Sequence, residues 1–122
     1  MYTSFFQSAS WGSQDASYSS TSSSFDNYIY SRDSLLVVLA AGNYGSATTT
    51  QTVISPTTAK NVVSVGATDG EGRGLTSSSL GSDYLAYFSS RGPTTDGRIK
   101  VSRCVNYLCI LSSASMIIYL FL

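Results

Sequence analysis

The 122-residue sequence contains no histidine. Imidazole is the side chain whose ordinary pKa lets it exchange a proton near neutral pH, and it is the commonest metal ligand. A mechanism that needs a histidine base or ligand is therefore excluded within these residues. Charge is also scarce: Asp, Glu, Lys and Arg make up 11% of the chain, against roughly 25% in an average globular protein. Basic and acidic residues are equal in number, so the net charge is zero. A balanced chain has no electrostatic footprint for nucleic acid or for an anionic membrane surface.

Cysteine is limited to Cys104 and Cys109. Two cysteines define no disulfide framework, and this pair is not spaced as CxxC. The opening MYTSFFQSASWG lacks a basic region and a long apolar region, so no signal peptide is expected in this chain and its compartment is not legible. Charge is missing again from VNYLCILSSASMIIYLFL, residues 105–122. That run just reaches the ~18 residues that a membrane-spanning helix needs. The whole length allows one domain at most.

What is present begins with serine. Residues 13–24 are mostly serine, which predicts a solvated loop. FDNYIYSRD follows, with Phe25, Tyr28 and Ile29 at helical spacing. The serines upstream offer N-caps and Asp26 would fall in the first turn, so a short helix is predicted over about residues 23–32. LLVVLAA, residues 35–41, is apolar without alternation and stops at Gly42 and Asn43. Such a run reads as a strand buried on both faces, as in a parallel sheet covered by helices. NVVSVGAT (61–68) reads the same way, and residues 2–10 read as a third, weaker strand. A helix between two such strands fits a βαβ unit. Residues 69–83 read as a surface excursion and YLAYFSS (84–90) as a short strand-like segment. RGPTTDGR carries two turn signals, Gly92-Pro93 and Asp96-Gly97.

Three stretches, taken together, resemble the subtilisin-like serine proteases: SASWGS (8–13), LLVVLAAGNYG with TVISPTTAKNVVSVGAT (35–45 and 52–68), and FSSRGPTTDGRIK (88–100). The resemblance covers about residues 2–100. It implies a partial α/β fold of the subtilisin-like, three-layer α/β/α kind, with a mainly parallel and incomplete sheet. It also implies peptide-bond hydrolysis through an acyl-enzyme, with a peptide or protein as substrate. On its pattern Asn43 matches the oxyanion-hole donor. Ser10, Trp11 and Gly12 match one edge of the substrate cleft, where an extended substrate adds as a strand. Ala40, Ala41 and Gly42 match the facing wall of the primary specificity pocket. Ser55-Pro56 matches a turn beside that pocket where relatives can hold a cis proline. Arg91 is expected to be structural, bonding backbone carbonyls or a carboxylate.

A physical reason for the asparagine stands apart from the resemblance. A scissile carbonyl gathers negative charge as it becomes tetrahedral. A side-chain amide held at the end of a buried strand can bond that charge more strongly than the ground-state carbonyl. The competing reading of Asn43 is a plain turn residue; that of Trp11 is an ordinary core aromatic.

The family's aspartate and histidine motifs have no match here, and no glycine-led nucleophile turn follows Lys100. Ser113-Ala114-Ser115-Met116 echoes that turn but lacks its glycine, and Ile117-Ile118 stand where small residues belong. Residues 1–100 are therefore expected to be part of a subtilase catalytic domain without its catalytic triad, inactive alone. Residues 101–122 are expected to lie outside the family pattern as translated intron or gene-model read-through. The rival reading of that apolar stretch is a membrane anchor. No cofactor is expected in this chain. Calcium belongs to the wider family, but Asp83 and Asp96 lack the loop spacing of a defined calcium site and read as solvated turn residues. Two further functional readings stay open: a non-catalytic peptide-binding remnant and a non-functional truncated product.

Overall fold

Among the described residues, four parallel strands lie side by side in the order of the chain. They are β1 (Phe5–Ala9), β2 (Leu35–Ala40), β3 (Val63–Thr68) and β4 (Arg103–Asn106), with one helix, α1 (Ser20–Tyr30), between β1 and β2. The computed structural model describes residues 5–46, 48–69 and 84–106. Residues 2–4 of the first predicted strand, the excursion after Asp69 with Asp83, the Ser113–Ser115 stretch and most of the apolar run fall outside the described residues. No helix among the described residues is long and apolar enough to cross a membrane.

The α/β class and the parallel sheet follow from β2. Val37, Val38 and Leu39 are all at least 95% buried, so both faces of this strand are covered, as its unbroken apolar run requires. Leu35, Val37 and Leu39 share one face by the two-residue period of a strand. They pack with Ala9, Ala59, Val62 and two α1 residues, Phe25 and Ile29. β1 pairs with β2 from Phe5↔Leu35 to Ala9↔Leu39, and β3 follows with Val38↔Val63 to Ala40↔Val65. β4 pairs with β3 from Val65↔Arg103 to Thr68↔Asn106, so the sheet runs past residue 100. β1 is one of the two edge strands among the described residues, and it leaves Phe5 and Phe6 half exposed or more. One helix layer is present among the described residues.

α1 begins earlier than its apolar spacing suggests. Ser19 caps it, its side chain accepting the Ser22 N–H, so residues 20–24 are helical and not loop. Ser22 is fully buried. Its hydroxyl lies 2.7 Å from the Thr58 hydroxyl and 3.2 Å from that of Ser55, and Ser19 Oγ lies 2.5 Å from Ser55 Oγ. Hydroxyls can enter a core when they bond one another, which composition alone does not reveal. The same shift places Asp26 in the second turn, away from the helix N-terminus. There it is buried, and it accepts the Lys60 N–H at 2.9 Å, the Asn61 N–H at 2.7 Å and the Tyr18 hydroxyl at 2.8 Å. Tyr28 faces solvent, with the Arg32 guanidinium 3.6 Å from its ring centre.

Residues 84–90 do not form a strand. Leu85 makes a single antiparallel bridge to Thr68, and the chain then turns as the Ser89 N–H donates to Ala86 O at 3.0 Å. The Asp96-Gly97 turn forms as expected, with Gly97 at φ +85°.

Candidate active-site cleft

β2 delivers Asn43 to the carboxyl edge of the sheet, where parallel α/β folds bind their ligands. The turn needs a backbone that few residues adopt: Gly42 has φ +112°. A Cβ at Gly42 would also lie 2.8 Å from Ser90 Oγ and 3.0 Å from two Ile54 carbons. Only glycine fits both demands.

The segment 88–90 ties down both sides of Asn43. Ser90 N–H donates to Gly42 O at 3.0 Å, and Gly45 N–H donates to Phe88 O at 2.8 Å. Tyr44 N–H donates to Ser90 Oγ at 3.2 Å. Asn43 itself is exposed. Its side chain is neither turned into the core nor bonded to a described residue, so its amide is available to a ligand.

An open cleft of about 230 Å³ lies in front of it, lined by Ser10, Trp11, Gly12, Ala40, Gly42, Asn43, Tyr44 and Ile54. Six of the seven residues singled out in the sequence therefore meet at one opening. Ala41 does not. It is 1% exposed, its N–H donates to Val65 O at 2.8 Å and its carbonyl accepts the Ile54 N–H at 3.1 Å. Ala41 is a core residue that fixes β2 and residue 54 together, since alternation turns its side chain away from the wall that Ala40 forms. Trp11 is 55% exposed and meets Phe25 at 5.9 Å between ring centres. It is a cleft residue braced by the helix, not a core aromatic.

Tyr44 and Ile54 line the cleft without having stood out in the sequence. Tyr44 could have been found as the neighbour of Asn43, whereas nothing local marks Ile54. It arrives because the Ser55 region returns to the site: Ser13 N–H donates to Ser55 O at 2.9 Å and Ser55 N–H to Asp15 O at 2.7 Å. The Ser55–Pro56 peptide bond is cis. None of the eight lining side chains carries a charge at neutral pH, and the donors among them are the Asn43 amide, the Ser10 and Tyr44 hydroxyls and the Trp11 indole N–H.

Asp96 lies away from this cleft. It pairs with Arg98 at 2.8 Å and accepts the Thr94 hydroxyl at 2.5 Å. Arg98, and then Thr94, hold its carboxyl down at about 2. Arg91 holds its neighbours through its backbone: its N–H donates to Thr52 Oγ1 at 2.8 Å and its carbonyl accepts the Thr52 N–H at 2.9 Å. Among the described residues no group of three or more Cys, Asp or Glu is arranged to hold a metal.

Set against protein families, residues 5–104 match the family model described as the subtilase family.

Proposed function

The chain belongs to the subtilase family of serine peptidases, and from that premise we propose that Asn43 is an oxyanion-hole donor in a peptide-binding cleft. The observation that carries this reading is the exposed Asn43 side chain, bonded to no described residue, at the mouth of a cleft whose backbone is fixed on both sides of it. Preorganised donors lower a barrier because they need not reorient as charge develops. Ser10, Trp11 and Gly12 form one wall. Ala40 and Gly42, with Tyr44, form the other. A peptide would lie between them in extended form, presenting a carbonyl to Asn43.

The family reaction is hydrolysis through an acyl-enzyme. It needs a nucleophile, a base that takes its proton, and a group that orients the base. With no histidine in the 122 residues, these residues alone bind a peptide and do not cleave it. The walls favour apolar or aromatic substrate side chains, because a charged one would find no counter-ion among the lining residues.

The test uses the 122-residue chain with a fluorogenic peptide and an active-site phosphonate. We expect neither turnover nor labelling, together with peptide-induced amide shifts confined to residues 10–12 and 40–45. Turnover at a rate above the buffer blank would overturn the inactive reading. Shifts elsewhere on the surface would overturn the cleft.

A further inference from the structure

Asn43 has no side-chain anchor among the described residues, so its aim is set by its backbone alone. The residue that governs that backbone is Ser90. It is 1% exposed and lies 47 positions from Asn43 in the chain, yet it reaches the peptide groups on both sides of it. Its N–H donates to the carbonyl of Gly42 at 3.0 Å, and its hydroxyl accepts the N–H of Tyr44 at 3.2 Å. Between those two bonds lies one residue, Asn43.

The bracket is itself fixed to the sheet. The neighbouring Ser89 hydroxyl accepts the Ala67 N–H of β3 at 3.0 Å. On the other side, the Arg91 carbonyl accepts the Thr52 N–H and the Arg91 N–H donates to the Thr52 hydroxyl. Position is thus transmitted from β3 through Ser89 and Ser90 to the turn that carries the amide. The fit between Gly42 and Ser90 is close enough that a Cβ on the glycine would collide with the hydroxyl. The two residues therefore form one joint.

We propose that Ser90 is a positioning residue for Asn43, holding its amide where negative charge would develop; this rests on the reading of Asn43 as an oxyanion donor. Removing the hydroxyl leaves the Tyr44 N–H without its acceptor and frees one side of the turn. It leaves the N–H of residue 90, the cleft walls and the strands in place. The effect should therefore appear at Asn43 before it appears in the fold.

The experiment compares the wild-type chain with Ser90→Ala and Ser90→Cys, the latter close to serine in volume but a weak acceptor. The probe is an N-acetylated tetrapeptide ending in a free phenylalanine carboxylate, a stand-in for the anionic oxygen. The readouts are the Asn43 Nδ2H₂ resonance during titration and the hydrogen exchange of Tyr44 and of the β2 and β3 amides. In the wild type the Asn43 amide should shift and the Tyr44 amide should be protected. In both variants the Tyr44 amide should exchange about fivefold faster or more, as expected for one lost net hydrogen bond. The apparent affinity reported by Asn43 should fall by a similar factor, with β2 and β3 protection unchanged. An Asn43 response equal to wild type in both variants would overturn the role of Ser90 and leave the oxyanion reading standing. A wild-type Asn43 amide that ignores the carboxylate would overturn the oxyanion reading, and the role of Ser90 with it.

Discussion

Gly12 lies so close to Ile54 that a Cβ on the glycine would sit 2.6 Å from the isoleucine Cδ1, and equally 2.6 Å from the Ser55 carbonyl oxygen. One wall of the cleft is therefore packed tightly against residues 54–55. We expect Gly12→Ala to force the 10–13 segment away from residues 54–55 and weaken the Ser13–Ser55 bond. The cost should be on the order of 1–3 kcal/mol, the usual range for overpacking. Chemical denaturation of the two proteins checks it, and an unchanged midpoint would show that the segment moves freely.

Asp26 links α1 to the turn before β3. Its two oxygens accept three donors, two of them backbone N–H groups. Asp26→Ala would leave the Lys60 and Asn61 N–H groups without that acceptor. Hydrogen bonds to a charged acceptor contribute about 1.5–3 kcal/mol, so the loss should exceed that of an exposed substitution such as Asn27→Ala, expected within about 0.5 kcal/mol. Amide exchange at residues 60 and 61 should rise in the same variant. Equal stability of the two variants would show that the carboxylate does not hold the turn.

The core should be steeply graded across the sheet. Leu39 is 1% exposed and Phe6 is 50% exposed. Leu39→Ala should cost about 2–5 kcal/mol, through lost burial and the cavity left behind. Phe6→Ala removes a larger side chain but should cost less, because half of it already meets solvent. Denaturant midpoints of the two variants give the order directly.

The Asp96 carboxyl should titrate at about 2, below its ordinary 3.8, because Arg98 and Thr94 bond its charged form. A depressed carboxyl contributes stability that is fully present above the unfolded value and lost as pH falls through the folded one. The contribution should therefore disappear between about 3.8 and about 2. Because the turn is exposed, solvent screening keeps the stability change small. A carbon-detected NMR titration of Asp96 is the sharper readout, and Arg98→Ala should move its midpoint upward. An unmoved midpoint would contradict the pairing.

Much of this arrangement was legible in the sequence where one interaction dominates. The unbroken run of residues 35–41 places β2 in a buried parallel sheet because only such a strand avoids polar residues on both faces. Asn43 could be singled out because its place after that run and Gly42 matches the family's oxyanion-hole position; by itself it reads equally as a turn residue. The reading faltered where the partner lies far along the chain. The serines of residues 13–24 look solvated until Ser55 and Thr58 arrive to bond Ser19 and Ser22. Asp26 looks like a helix-end charge until residues 60 and 61 supply its donors. Ala41 belongs by sequence with Ala40, yet a strand sends neighbours to opposite sides, and its place at a strand's end hid which side it would take. The apolar and aromatic content of residues 84–90 suggests a strand, but the turn at residues 86–89 limits the pairing to one bridge.

The most direct measurement is a crystal structure of the chain with a peptide ending in a free carboxylate. The account predicts the carboxylate at the edge of β2, one oxygen 2.7–3.1 Å from Asn43 Nδ2, the range expected of an oxyanion donor. The peptide should run between Trp11 and Tyr44. A peptide bound elsewhere, or bound in the cleft with the Asn43 amide pointing away from its carboxylate, would contradict it.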